Sequence, residues 1–113
     1  LVSNGHIGFN QRGTLFGSET RVSPMDPIFE ARVRKETGVD ADYPLGGLTL
    51  GIRTIMHVRH IVLAAKGAHK AEMVEKMLKG PVTEDVPASV LQLHPNCDFL
   101  LDSEAGKYVM DMV

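Results

Sequence analysis

The chain has 113 residues, 43% of them hydrophobic and 23% charged, with a formal net charge of −2. That length suits a single globular domain, and without a basic surplus neither nucleic acid nor an anionic membrane is an expected partner. No apolar run approaches the ~20 residues of a membrane span, no signal-peptide pattern is legible, and Cys97 stands alone, which fits a reducing cytoplasm and rules out an internal disulfide.

An apolar stub, Leu1-Val2, runs into Asn4-Gly5-His6-Ile7-Gly8-Phe9-Asn10, the pattern of a strand end breaking into a functional loop. Gly5 and Gly8 allow unusual dihedrals and close approach to a ligand, and His6 between them titrates near neutral pH. On spacing alone this reads as a turn that contains a histidine. Residues 10–27, rich in Gly, Thr, Ser and Pro, form a long loop with one short strand near Thr20–Val22. Asp26 then caps a helix that has Pro27 at its first position, carries Ile28, Ala31 and Val33, and ends before Gly38. A loop follows over 37–47.

The spacing of Leu48, Ile52, Ile55 and Met56 predicts a helix over Gly46–Val58. Ile61–Ala65 is a continuous apolar run, as expected of a parallel strand buried on both faces. Ala68–Leu78 is amphipathic, with Ala71, Val74, Met77 and Leu78 inward and Glu72, Glu75, Lys76 and Lys79 outward. Gly80 and Pro81 end it. A short helix over Pro87–Leu93, a strand over Cys97–Leu101 and a last helix over Glu104–Met112 capped by Ser103 complete the chain. Strand and helix alternate as in a Rossmann-like, doubly wound α/β domain with a mostly parallel sheet and flanking helices. His57, His60 and His69 show no metal-ligand spacing, and the six methionines read as core filler.

Asn4-Gly5-His6-Ile7-Gly8-Phe9-Asn10-Gln11-Arg12-Gly13 resembles the signature loop of the glucosamine-6-phosphate deaminase/isomerase family, [Asp/Asn]-Gly-His-Ile-[Ala/Gly]-Phe-Asn-Glu-Pro-Gly. Further similarities follow in the same order at Thr20-Arg21-Val22, Leu48-Thr49-Leu50-Gly51-Ile52, Lys66–Ala71, Lys79–Thr83 and Pro87–Asn96. The related 6-phosphogluconolactonases share the Gly-His core but continue with a Ser-Leu-Phe-Pro-like run, so Phe9-Asn10 favours the deaminase branch. Against that family the 113 residues correspond to the C-terminal part of one domain. The N-terminal part, with the central strands, a phosphate-cradling loop and the acidic base, is then missing. Such a piece is expected to leave an apolar sheet face unpaired and to be inactive alone.

The resemblance implies isomerisation of an amino-sugar 6-phosphate with loss of ammonia, a small-molecule sugar phosphate as partner, no cofactor, no metal, and a homo-oligomer. His6 would open the sugar ring, passing a proton between the anomeric hydroxyl and the ring oxygen. The family holds this histidine between two acidic residues, and this chain has Asn4 and Gln11 there. Two amides remove the charges that would raise the imidazole's proton affinity. Arg34 corresponds to a phosphate-binding arginine, with Arg32 as the alternative, and the plain reading of both is a solvated helix face laced with i,i+4 pairs. Lys70, in the turn from a buried strand into a helix, would bind phosphate. Arg21 corresponds to an allosteric position whose neighbouring lysine is Ser23 here. Arg12 reads as a solvated loop cation and His94 as structural. Two rival functions stay open: a non-catalytic sugar-phosphate-binding regulatory domain, and a related isomerase or 6-phosphogluconolactonase-like enzyme acting on another sugar phosphate.

Overall fold

The computed structural model describes residues 5–113, so the Leu1-Val2 stub and Asn4 lie outside the described residues. The chain forms β1 (Arg21–Pro24), α1 (Pro27–Thr37), β2 (Gly46–Thr49), α2 (Ile52–Met56), β3 (Ile61–Ala65), α3 (Ala71–Lys79) and β4 (Cys97–Leu101). Three 3₁₀ segments, Ala68–Lys70, Pro87–Leu93 and Met110–Met112, supplement them. The architecture is mixed α/β. β3 and β4 pair in parallel across the α3 crossover, Ile61 opposite Cys97 and Ala65 opposite Leu101, while β1 and β2 form an antiparallel ribbon.

Local chemistry explains the elements that follow expectation. The Asp26 carboxylate accepts from the Ile28 and Phe29 amides, Pro27 opens α1, and Gly38 closes it in the left-handed conformation. Along α3, Ala71, Val74 and Met77 are buried, and Glu72, Glu75, Lys76 and Lys79 are exposed. Val74 and Met77 join Leu63, Ala65, Ala88, Leu91, Ala105 and Val109 in a hydrophobic core cluster.

Four expectations are corrected. Gly46–Val58 is not one helix: Gly46–Thr49 is strand β2 and only Ile52–Met56 is helical. Gly46-Gly47 disfavours a helix by about 1 kcal/mol per glycine, and β1 offers partners for the backbone groups of β2. Leu48, expected to share one helix face with Ile52, Ile55 and Met56, therefore points out to solvent at 77% exposure. Second, β3 is covered on one face only: Leu63 and Ala65 are buried, whereas Val62 and Ala64 are exposed, as are Asp98 and Leu100 on β4. Third, Glu104–Met112 forms turns and a final 3₁₀ segment, and the cap is Asp102, not Ser103, because its carboxylate accepts from the Ala105 amide. Fourth, Met110 and Met112 are exposed rather than core filler. Among the described residues no helix is long and apolar enough to cross a membrane.

Candidate active site

His6 precedes a tight turn. The Asn10 amide donates to the Ile7 carbonyl at 3.1 Å, and Gly8 at the first central position has φ +59. A positive φ there is the condition of a primed turn, which a side chain would strain. The inner face of the β1–β2 ribbon supports this turn. Thr49 Oγ1 accepts from the Phe9 amide at 3.1 Å, and Gly47 leaves room for the Phe9 ring. Behind His6, Gly5 is buried against Met73 of α3 and Val86, and its carbonyl accepts from the Ala88 amide. One helical turn separates Met73 from Lys70, so α3 ties the His6 segment to the Lys70 end of the sheet.

Burial pushes the His6 imidazole below its ordinary value of 6.5, and the charge of Asp26 opposes that shift. Sequence reasoning assigned Asp26 only a capping role, yet it is the carboxylate whose field reaches His6. Gln11 is occupied elsewhere: its Nε2 donates to the Pro24 carbonyl.

Beyond the carboxyl ends of β3 and β4 lies an open groove of about 430 Å³ lined by Lys66, Lys70, Asp102, Ala64, Ala65, Leu100 and Leu101. Ligands of parallel α/β sheets bind at this end. The turn's first free amide, Gly67 N–H, is already taken by the Asp102 carboxylate at 3.1 Å. The cationic side chains that line the groove are Lys66 and Lys70. The Ala105 amide, then that of Gly67, hold the Asp102 carboxyl below its ordinary 3.8. Stability from a depressed carboxyl is present above that value and lost as the pH falls below it. Asp102→Asn is expected to lose less stability than wild type on acidification through this range, measured by denaturant unfolding at stepped pH.

The arginines separate clearly. Arg34 spends its guanidinium on the Asp40 carbonyl (2.7 Å), the Tyr43 carbonyl (2.7 Å) and the Glu30 carboxylate (2.8 Å), so it fastens the 38–45 loop to α1. Arg32 instead lies over the Phe29 ring, 5.2 Å from its centroid, and Phe29 packs on Phe9 of the His6 turn at 6.1 Å. Arg12 pairs with Asp85 across exposed surface. Arg21 Nη1 donates to Asn10 Oδ1 and to the Glu19 carbonyl. His94 is buried and structural: Nδ1 accepts from the Asn96 amide, so the ring donates from Nε2 to the Val58 carbonyl. Burial, aided by Asp98, pushes the Cys97 thiol up, away from nucleophilic use. Among the described residues no cluster of three His, Cys, Asp or Glu side chains is placed to hold a metal.

No protein-family model matches the chain. The glucosamine-6-phosphate deaminase of Streptococcus thermophilus is 48% identical over 107 residues, 94% of this chain and 46% of that protein. The chain is a homologue of the glucosamine-6-phosphate deaminases. The deaminase of Rhodopirellula baltica is 45% identical over 106 residues, 94% of this chain and 42% of its own. A solved monomeric glucosamine-6-phosphate deaminase of the NagB superfamily superposes with a TM-score of 0.80 at 39% identity, covering 95% of this chain and 44% of that one. The 6-phosphogluconolactonase of Trypanosoma cruzi, at 23% identity and a TM-score of 0.70, shares the fold. This deaminase homologue spans less than half the length of the relatives it matches.

Proposed function

We propose that the chain is the C-terminal part of an amino-sugar-6-phosphate isomerase/deaminase domain, acting on glucosamine 6-phosphate or an epimer to give a ketohexose 6-phosphate and ammonia. The sequence match to the deaminases, 48% identical over 107 residues, carries this reading. The open face of β3–β4 supports the partial-domain reading, because Val62, Ala64 and Leu100 are what a continuing sheet and its helices would cover. We place the protein in the cytoplasm, in keeping with its lone cysteine, and expect copies of it to assemble, as the family resemblance implies.

In the proposed reaction His6 takes the anomeric proton and returns one to the ring oxygen, opening the sugar. A proton then moves from C2 to C1, and water hydrolyses the resulting C2 imine to a ketone and ammonia. The neutral imidazole favoured by burial is the form that can accept the first proton. Lys70 and Lys66 would meet the phosphate in the groove. Of the arginines Arg32 is the better phosphate ligand, since the guanidinium of Arg34 is committed to the Asp40 and Tyr43 carbonyls and to the Glu30 carboxylate.

The test is ammonia release from glucosamine and galactosamine 6-phosphates by the natural full-length protein. Turnover supports the reading, and tight binding without turnover would favour the regulatory alternative. Lys70→Ala is expected to raise KM about 10- to 100-fold with kcat less affected, the loss of a charge-assisted contact. Arg32→Ala is expected to raise KM as well, whereas Arg34→Ala should instead lower the melting temperature.

A further inference from the structure

Asn10 is fully buried and every polar atom of its side chain is used. Its Nδ2 donates to the Ile7 carbonyl and to the Leu50 carbonyl, both at 2.8 Å. Its Oδ1 accepts from Arg21 Nη1 at 3.0 Å. Three segments distant in sequence meet at this one amide: the His6 turn, the junction of β2 with α2, and β1. An apolar side chain here would leave the Leu50 carbonyl and the Arg21 guanidinium without this partner, and a carboxylate would turn both donated bonds into oxygen–oxygen contacts. Arg21 is the half-exposed member of the network, anchored also to the Glu19 carbonyl at 3.2 Å.

We infer that Asn10 is a positioning residue: it fixes the Ile7–Asn10 turn, and with it His6, to the β1–β2 ribbon, and it makes the setting of His6 depend on the Arg21 guanidinium. The physical reason is that a single planar amide cannot move to follow one partner without lengthening its bonds to the others. Loss of Arg21 frees Oδ1, and the turn then loses the constraint that keeps the ring half-buried and within the field of Asp26. This deepens the proposed function and rests on His6 as its acid–base group.

The experiment follows the His6 ring by NMR through a pH titration of the natural full-length protein, in wild type, Asn10→Ala, Asn10→Asp, Arg21→Ala and Arg21→Lys, with Val109→Ala as a core control. In Asn10→Ala, Asn10→Asp and Arg21→Ala the His6 signals are expected to move and its titration to rise towards that of free histidine, as burial is relaxed. Arg21→Lys, which keeps a donor, should restore much of the wild-type behaviour. Val109→Ala should lower the melting temperature and leave His6 unchanged. The inference is overturned if His6 titrates as in wild type in Arg21→Ala and Asn10→Ala, or if Val109→Ala moves it equally. Should the Asn10 variants not fold, Arg21→Ala, which removes only a half-exposed side chain, decides alone. The readout needs no turnover, so a protein that releases no ammonia would sink the proposed function and leave this test intact.

Discussion

Replacing His6 with alanine is expected to cut kcat for ammonia release by about a hundred- to ten-thousand-fold, the range that a positioned proton-transfer group contributes. His6 is the titratable side chain of the loop and stands beside the turn closed from Asn10 to Ile7, half-buried, with its proton affinity lowered by that burial. Alanine removes proton transfer but leaves the backbone bonds on either side, from Ala88 to Gly5 and from Asn10 to Ile7, untouched. Circular dichroism and the melting temperature should therefore match wild type, and a variant that loses activity by unfolding would be recognised by failing that check. KM should change less than kcat, because phosphate contact is assigned to Lys66 and Lys70 of the groove rather than to His6. Turnover within a factor of a few of wild type would remove His6 from the chemistry. Gln11→Glu tests the same site from the other side. A carboxylate cannot donate to the Pro24 carbonyl as Gln11 does, so the side chain is released, and higher turnover would show that a charge near the imidazole was what the loop lacked.

Gly51→Ala is expected to cost about 2 kcal/mol or more, a fall in melting temperature of roughly 4–8 °C for a domain of the relatives' length. A Cβ on Gly51 would stand inside contact distance of the Ser18 carbonyl and the Glu19 backbone. These are main-chain atoms, so no rotamer change relieves the overlap. The Ser18 carbonyl accepts from the Arg53 amide at 3.0 Å, one of the first N–H groups of α2, which has no side-chain cap. The strain falls next to Leu50, whose carbonyl receives Asn10, and next to Glu19, whose carbonyl receives Arg21. The supports of the His6 turn should loosen together with the global loss. Gly17→Ala is the control, because nothing lies within 4 Å of a Cβ placed there, and it should change stability by less than about 0.5 kcal/mol. Equal melting temperatures for the two variants would contradict the close packing at Gly51.

Reading the sequence succeeded where a segment carries its own instructions. Asp26, Pro27 and Gly38 bracket α1 by capping chemistry that involves only near neighbours. The apolar spacing of Ala71, Val74 and Met77 names the buried stripe of α3. Ile61–Ala65 and Cys97–Leu101 are strands as their apolar runs imply. It failed where a distant segment decides. The spacing of Leu48, Ile52 and Ile55 is helical, yet β1, more than twenty residues earlier, recruits Gly46–Thr49 as its partner. Ser103 had the chemistry of a cap, but Asp102 joins two turns at once and takes the place.

Helices α1 and α3, strands β3 and β4 and the Gly-His turn were legible in the residues alone, because capping, proline and glycine stereochemistry, and apolar periodicity act over a few residues. Which partner each polar side chain takes was set by contacts between distant segments. Arg32 and Arg34 are the same residue type two positions apart, and what separates them is the docking of the 38–45 loop, whose Asp40 and Tyr43 carbonyls, with Glu30 of α1, take the guanidinium of Arg34, while Arg32 lies over Phe29. Tertiary packing likewise brought Asp26, an ordinary helix cap in sequence, within electrostatic reach of His6. It also turned Asn10 from a loop residue into the fully buried junction of three segments. Such outcomes depend on non-local geometry, because a hydrogen-bonding group is committed by whichever partner the fold carries to it.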